Sequence, residues 1–75
     1  MNKQRRRALN TLSQKVEALK SELEDIRDEE QDYYDNMPEN LQGSQRGCDS
    51  EEAIEQMEEA IEQLEEAIET IDSIM

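Results

Sequence analysis

The sequence predicts an all-α fold: an antiparallel helical hairpin of coiled-coil type that dimerises into a four-helix bundle. Three observations predict it. Two stretches keep heptad spacing, the break between them holds the only Pro and both Gly, and the two stretches carry opposite charge balances. With 39% charged and 3% aromatic residues, composition alone would suit a disordered acidic chain, so the regular spacing of the few apolar residues decides for long helices.

The first helix is expected over about residues 4–37. Leu9, Leu12, Val16, Leu19, Leu23, Ile26, Tyr33 and Met37 alternate steps of three and four once Glu30 is counted among them. With Leu9 at heptad position a, the residues Leu12, Leu19, Ile26 and Tyr33 take d, and Glu30 is the one polar residue at a. Glu30 reads as a register device near the bundle end, meeting water or Arg46. The sharper alternative brings two Glu30 side chains together in a symmetric dimer around a cation or a shared proton. Pro38 ends this helix, because it disfavours helical geometry in the preceding residue and has no amide to donate to the turn before it.

The joint is expected over about residues 38–49. Pro38 suits a first helical position, residues 39–42 can form one turn with Leu41 folded over the end of the seam, and Gly43 and Gly47 supply turn geometry. The second helix is expected over about residues 50–75, with Asp49 or Ser50 as its cap and Glu51 and Glu52 in the first turn, where negative charge suits the helix dipole. It is a seven-residue repeat, AIEQMEE, AIEQLEE, AIETIDS. Ile54, Ile61, Ile68 and Met75 fall at a, and Met57, Leu64 and Ile71 at d. Ala53, Ala60 and Ala67 widen the apolar stripe to the pattern of a helix with more than one packing neighbour.

The two helices should pair. At ~1.5 Å per residue they run roughly 50 and 39 Å. Residues 1–27 hold seven basic and four acidic side chains, whereas residues 49–75 hold eleven acidic and no basic ones, so the halves attract. Folding back should bring Arg5, Arg6 and Arg7 to the carboxyl end of the second helix and to Asp72, and should set Lys20 and Arg27, at e, beside its carboxylates. A lone hairpin gives each seam residue only about half of the ~1.5–3 kcal/mol available on full burial, against an ordering cost of ~1.5 kcal/mol per residue. A single Cys48 cannot form an internal disulfide and no metal-ligand set is present, so association is the remaining source of stability. A homodimer is therefore expected, in which the second helix avoids lying against its own copy along the glutamate-rich flanks.

The formal charge of −13 argues against nucleic acid phosphates and anionic membranes as direct partners and favours a basic protein surface. No apolar run is long enough to span a bilayer, and a cytoplasmic location is expected. His is absent, the one Cys has no imidazole to activate it, and no glycine-rich phosphate loop occurs, so neither catalysis nor a cofactor is expected. No metal is expected either: the di-metal sites of helical bundles need inward Glu-x-x-His pairs, and the spacing after Asp28 and Asp32 fails the calcium-loop pattern. Cys48 reads as a free thiol in the joint.

Residues 28–47 hold both Tyr, the Pro and both Gly, and so most of the non-repetitive information. Tyr33 reads as core. Glu30, Tyr34 and Arg46 read as the candidate partner epitope, with Tyr34 an amphipathic anchor at position e. The succession DEEQ, an aromatic, DNMPENLQ, then S-x-RG before an acidic Glu/Ala/Ile-rich helix resembles a group of small uncharacterised proteins of Gram-positive bacteria and their phages. The resemblance covers residues 28–75. It implies a helical hairpin and no known activity, and so supplies no functional residues.

Three functions are compatible with these readings. The leading one is a self-associating protein-interaction module, a regulatory or accessory protein of a phage or its host. The second is an acidic mimic of nucleic acid, in which carboxylates along the second helix occupy a DNA- or RNA-binding protein. The third is a purely structural oligomer.

Overall fold

The computed structural model describes residues 1–74 and contains three helices, α1 (Lys3–Asp35), α2 (Glu39–Gln42) and α3 (Gln45–Ile74). The two long helices pack against each other as an extended hairpin, 59 Å long and 14 by 12 Å across. Met75, expected to close the a column, lies outside the described residues.

At the start of α1 the Asn2 side chain accepts from the Arg5 amide at 2.8 Å, satisfying one of the amides that a helix N-terminus leaves free. The helix stops two residues short of the expected 37. Asn36 caps it, and Met37, at 8% exposure, turns inward beneath the joint. Pro38 stands just before α2 with an extended ψ of 146°. The single turn over 39–42 forms as the sequence predicts, but Leu41 stays 39% exposed and it is Met37 that closes the seam. Gln42 contributes too, its side-chain amide donating to the carbonyls of Tyr34 (3.3 Å) and Met37 (3.4 Å) at the end of α1.

The second long helix begins at Gln45, five residues before Ser50. Ser44 starts it: its carbonyl accepts from the Cys48 amide at 2.9 Å, and its hydroxyl lies 3.5 Å from the Gly47 amide. Asp49 and Ser50 are therefore interior helix residues, not caps. Gly47 makes no turn either, since no glycine has a positive φ. Its role is close approach: a Cβ on Gly47 would lie 2.0 Å from the Gln42 carbonyl oxygen. Only a residue without a side chain lets α2 fold down onto α3.

Three hydrogen bonds between e residues of the two long helices fix the register. Ser13 pairs with Asp72, Lys20 with Glu65 and Tyr34 with Glu51, so each heptad up α1 meets a heptad down α3. This alignment leaves roughly the first ten residues of the chain beyond the end of α3. Arg5, Arg6 and Arg7 consequently do not reach Asp72, which accepts from Ser13 Oγ at 2.8 Å, and among the described residues none of the three arginines forms an ion pair.

The core is the a column of α3, with Ile54, Ile61 and Ile68 at 7–8% exposure. Against it α1 presents its a column, Leu9, Val16 and Leu23, together with its e column, Ser13, Lys20, Arg27 and Tyr34, all buried or half-buried. The d column that the heptad reading put in the seam is turned away. Leu12, Leu19, Ile26 and Tyr33 are 47%, 56%, 53% and 47% exposed, so Tyr33 is not a core residue of the hairpin. Taking the a/e stripe in place of a/d amounts to rolling α1 by about 50° at 100° per residue. The e column of α3 is Glu51, Glu58, Glu65 and Asp72. Rolling α1 sets hydroxyl and ammonium groups against those carboxylates, where an a/d seam would have set leucines nearer to them.

Candidate interaction site

The hairpin has two unlike edges. On one, e residues of both helices meet: Ser13 Oγ donates to Asp72, Lys20 Nζ lies 2.9 Å from Glu65 and 3.6 Å from Glu17, and the Tyr34 hydroxyl donates to the Glu51 carboxylate. Arg27 stands level with Glu58 but pairs at 3.0 Å with Asp28 of its own helix. The hydrogen bond to Glu65 raises the Lys20 pKa above the ordinary lysine value; burial opposes this and the nearby carboxylates add to it. Tyr34 is raised as well, first by its bond to Glu51, then by burial and by the surrounding negative charge. Ser13, Lys20 and Tyr34 thus each have a partner across the hairpin.

The other edge is apolar and open. In an antiparallel pair the d columns of both helices fall on the side opposite the e columns, and the g column of α3 lies beside its d column. Leu12, Leu19, Ile26 and Tyr33 thus run along this edge next to Met57, Leu64 and Ile71, which are half-buried, with Ala53 and Ala60 half-buried and Ala67 and Ile74 exposed. Of the thirteen residues expected to form the seam, nine lie in or at the margin of the hairpin interface, and the four d residues of α1 face outward.

Charge is sorted to match. From residue 53 onward every carboxylate of α3 falls at b, e or f, and columns a, c, d and g hold none. Position c carries Gln56, Gln63 and Thr70. On a helical wheel c, g, d and a form one continuous arc of roughly half the circumference at 100° per residue. α1 covers the a side of that arc, half-covers Ala53 and Ala60 at g, and leaves the c column exposed. The signal is in the sequence, but it shows only when the neutral c column is read together with the alanines.

The three residues expected to form one epitope are divided between the edges. Tyr34 lies on the polar edge, in a shallow cavity with Gln31, Glu51 and Ile54. Glu30 and Arg46 line a hollow on the apolar edge together with Tyr33, Asp49, Ser50 and Ala53. Glu30 forms no ion pair with Arg46: its carboxylate accepts from Ser50 Oγ at 2.6 Å, made possible because Ser50 sits inside the helix at d. Cys48 is exposed and reduced on the outer face of the first α3 turns. Among the described residues no three Asp, Glu or Cys side chains converge as a metal site, and no helix is long and apolar enough to cross a membrane. Comparison with protein-family models, with curated proteins and with solved structures finds no match.

Proposed function

We propose that this chain is a non-catalytic protein-interaction module whose hairpin associates with a second copy along its apolar edge, forming a four-helix bundle, and turns its carboxylates outward. The observation that carries the reading is the charge-free arc of α3, which continues past the area α1 covers. Solvated helix surface tolerates charge anywhere, so a chain with 39% charged residues that keeps two uncovered columns neutral over three heptads has those columns in contact with something. The four half-exposed d residues of α1 point the same way, each with about 1 kcal/mol still to gain on full burial.

The test is sedimentation equilibrium across a wide concentration range. A reversible dimer with a concentration-dependent thermal midpoint is the expected result. A folded monomer of 8.8 kDa at every concentration overturns the reading.

A second reading is favoured by the other half of α3. Its b, e and f columns present carboxylates along the whole helix, and a basic nucleic-acid-binding protein is the partner such a surface suits. Binding to such a protein that weakens with salt and is competed by DNA supports mimicry; binding indifferent to both removes it.

A further inference from the structure

Resting on the self-association reading, we propose a specific arrangement for the dimer: the two hairpins are related by a two-fold axis parallel to their length, with both joints at one end, so that α1 of each copy lies against α3 of the other. The two apolar edges can face each other in two ways. Either α1 covers α3 of the second copy, or each long helix covers its own equivalent with the joints at opposite ends.

Charge separates the two. The second way stacks α3 on α3, placing two helices of eleven acidic and no basic residues together. The first way sets residues 1–27, with seven basic and four acidic side chains, over an acidic helix, and the carboxylates beside the d column meet the neutral amides of Gln56 and Gln63.

Shape supports the same choice. A two-fold axis along the hairpin permits no sliding, so the residues that meet are those already level within one hairpin. The Ser13–Asp72, Lys20–Glu65 and Tyr34–Glu51 bonds set those levels. By them Leu19 stands opposite Ala67 of the second copy, Ile26 opposite Ala60 and Tyr33 opposite Ala53. Large d side chains meet small g side chains at each step, the packing that lets two helices interdigitate.

The hollow at the joint end fits this scheme in detail. Arg46, Asp49, Ser50 and Ala53 are spaced i, i+3, i+4, i+7, the four corners of a coiled-coil hole, and they line the open hollow on this edge. The side chain that the symmetry delivers there is Tyr33 of the second copy. This is the one hole with polar and charged corners, and Tyr33 is the one d residue of α1 between 12 and 33 with a hydroxyl. The next holes along α3 have uncharged corners throughout and receive Ile26, Leu19 and Leu12. The part of the edge that both long helices build is about 45 Å long at ~1.5 Å per residue of α3 and 12–14 Å wide, a footprint of about 600 Å² beside the ~800 Å² per partner that standard interfaces bury.

The arrangement is tested by disulfide trapping in a Cys48→Ser background. Ile26→Cys and Ala60→Cys proteins are oxidised separately and as an equimolar mixture, beside sedimentation of the unaltered chain. Disulfides need Cα atoms about 4.4–6.8 Å apart, so the expected result is a covalent dimer at least about tenfold more abundant in the mixture than in either protein alone. Covalent dimers from one variant alone, at the mixture's level, overturn the arrangement. So does a mixture that fails to cross-link although the unaltered chain sediments as a dimer. A monomer in sedimentation instead overturns the self-association on which the arrangement rests.

Discussion

The polar and apolar edges of this hairpin are made from the same two helices, yet one is finished and the other is not. Along the polar edge Ser13, Lys20 and Tyr34 each meet an α3 side chain that completes them. Along the apolar edge Leu12, Leu19, Ile26 and Tyr33 are about half exposed, Ala53 and Ala60 are only half-buried and Ala67 is exposed. The contrast teaches that a heptad repeat can hold more apolar positions than one packing neighbour covers. α1 uses a and e toward α3 and leaves d exposed, and α3 uses a and d while its c and g columns carry no charge from residue 53 onward.

Placing charge on the unfinished edge should have the largest effect. The double variant Leu19→Asp, Ile26→Asp leaves every cross-hairpin hydrogen bond intact, but it puts carboxylates where a covered surface would bury them, at about 3–5 kcal/mol per dimer. The expected outcome is a dissociation constant raised more than ~100-fold and a thermal midpoint that no longer depends on concentration. Size-exclusion with light scattering measures the first and circular dichroism the second. The same two substitutions at Lys20 and Arg27, on the finished edge, should leave the oligomer in place.

Gly47→Ala comes next and sharpens what holds the joint end of both edges. Helix propensity alone would make the change favourable by about 1 kcal/mol, because Gly47 is inside α3. The new Cβ would lie 2.0 Å from backbone carbonyl oxygen, which cannot swing aside as a flexible side chain can, so a net loss of about 1–3 kcal/mol is expected. Chemical denaturation followed by helix signal reads the sign directly; a stabilised variant would show that α2 does not rest on α3.

How much of this was legible beforehand follows from the kind of signal each feature leaves. The two long helices and the identity of the a columns leave periodic traces, and the spacing of Leu9, Val16, Leu23, Ile54, Ile61 and Ile68 was enough to read them, while the one-turn α2 was read from Pro38 as a helix opener. The start of α3 was hidden, because Asp49 and Ser50 have the chemistry of caps while Ser44, the residue that begins the helix, is followed by a glycine that looks like a breaker. The roll of α1 was hidden for a different reason. A heptad pattern shows that a and d are both apolar, but which of them faces the near partner depends on what e offers, and that is settled by Ser13, Lys20 and Tyr34 bonding across. The candidate epitope suffered likewise: Tyr34 and Glu30 are four apart in sequence, yet the roll sends them to opposite edges.

Removing one rung of the finished edge should cost little, since it is exposed to solvent on one side. Lys20→Met deletes the ammonium that lies 2.9 Å from Glu65 while keeping a long apolar stem, and a loss of hairpin stability within the small range of an exposed ion pair is expected, shrinking further in high salt. A loss well above that range in a denaturant melt would mean that the polar edge, and not the isoleucine column, holds the helices together.

The smallest effect is the response to alkali, and it distinguishes the edges because both groups with a raised pKa, Tyr34 and Lys20, lie on the polar one. Tyr34 has its pKa raised by donating to Glu51, so the phenol is favoured in the folded chain; Lys20 is raised by its bond to Glu65. A group whose folded pKa lies above its unfolded value adds stability that is fully present below the unfolded value, about pH 10 for both types, and is lost as pH climbs through the folded one. Thermal stability should therefore be level through neutral pH and decline above about pH 10. Tyr34→Phe should lose the tyrosine share of that decline, while Leu19→Ala should melt lower at every pH without changing its slope. The phenolate absorbance of the unaltered chain, compared with that of Tyr34→Phe, isolates the Tyr34 titration; a midpoint at or below the ordinary tyrosine value would mean that the Glu51 rung is open in solution and that the register of the hairpin rests on Ser13 and Lys20 alone.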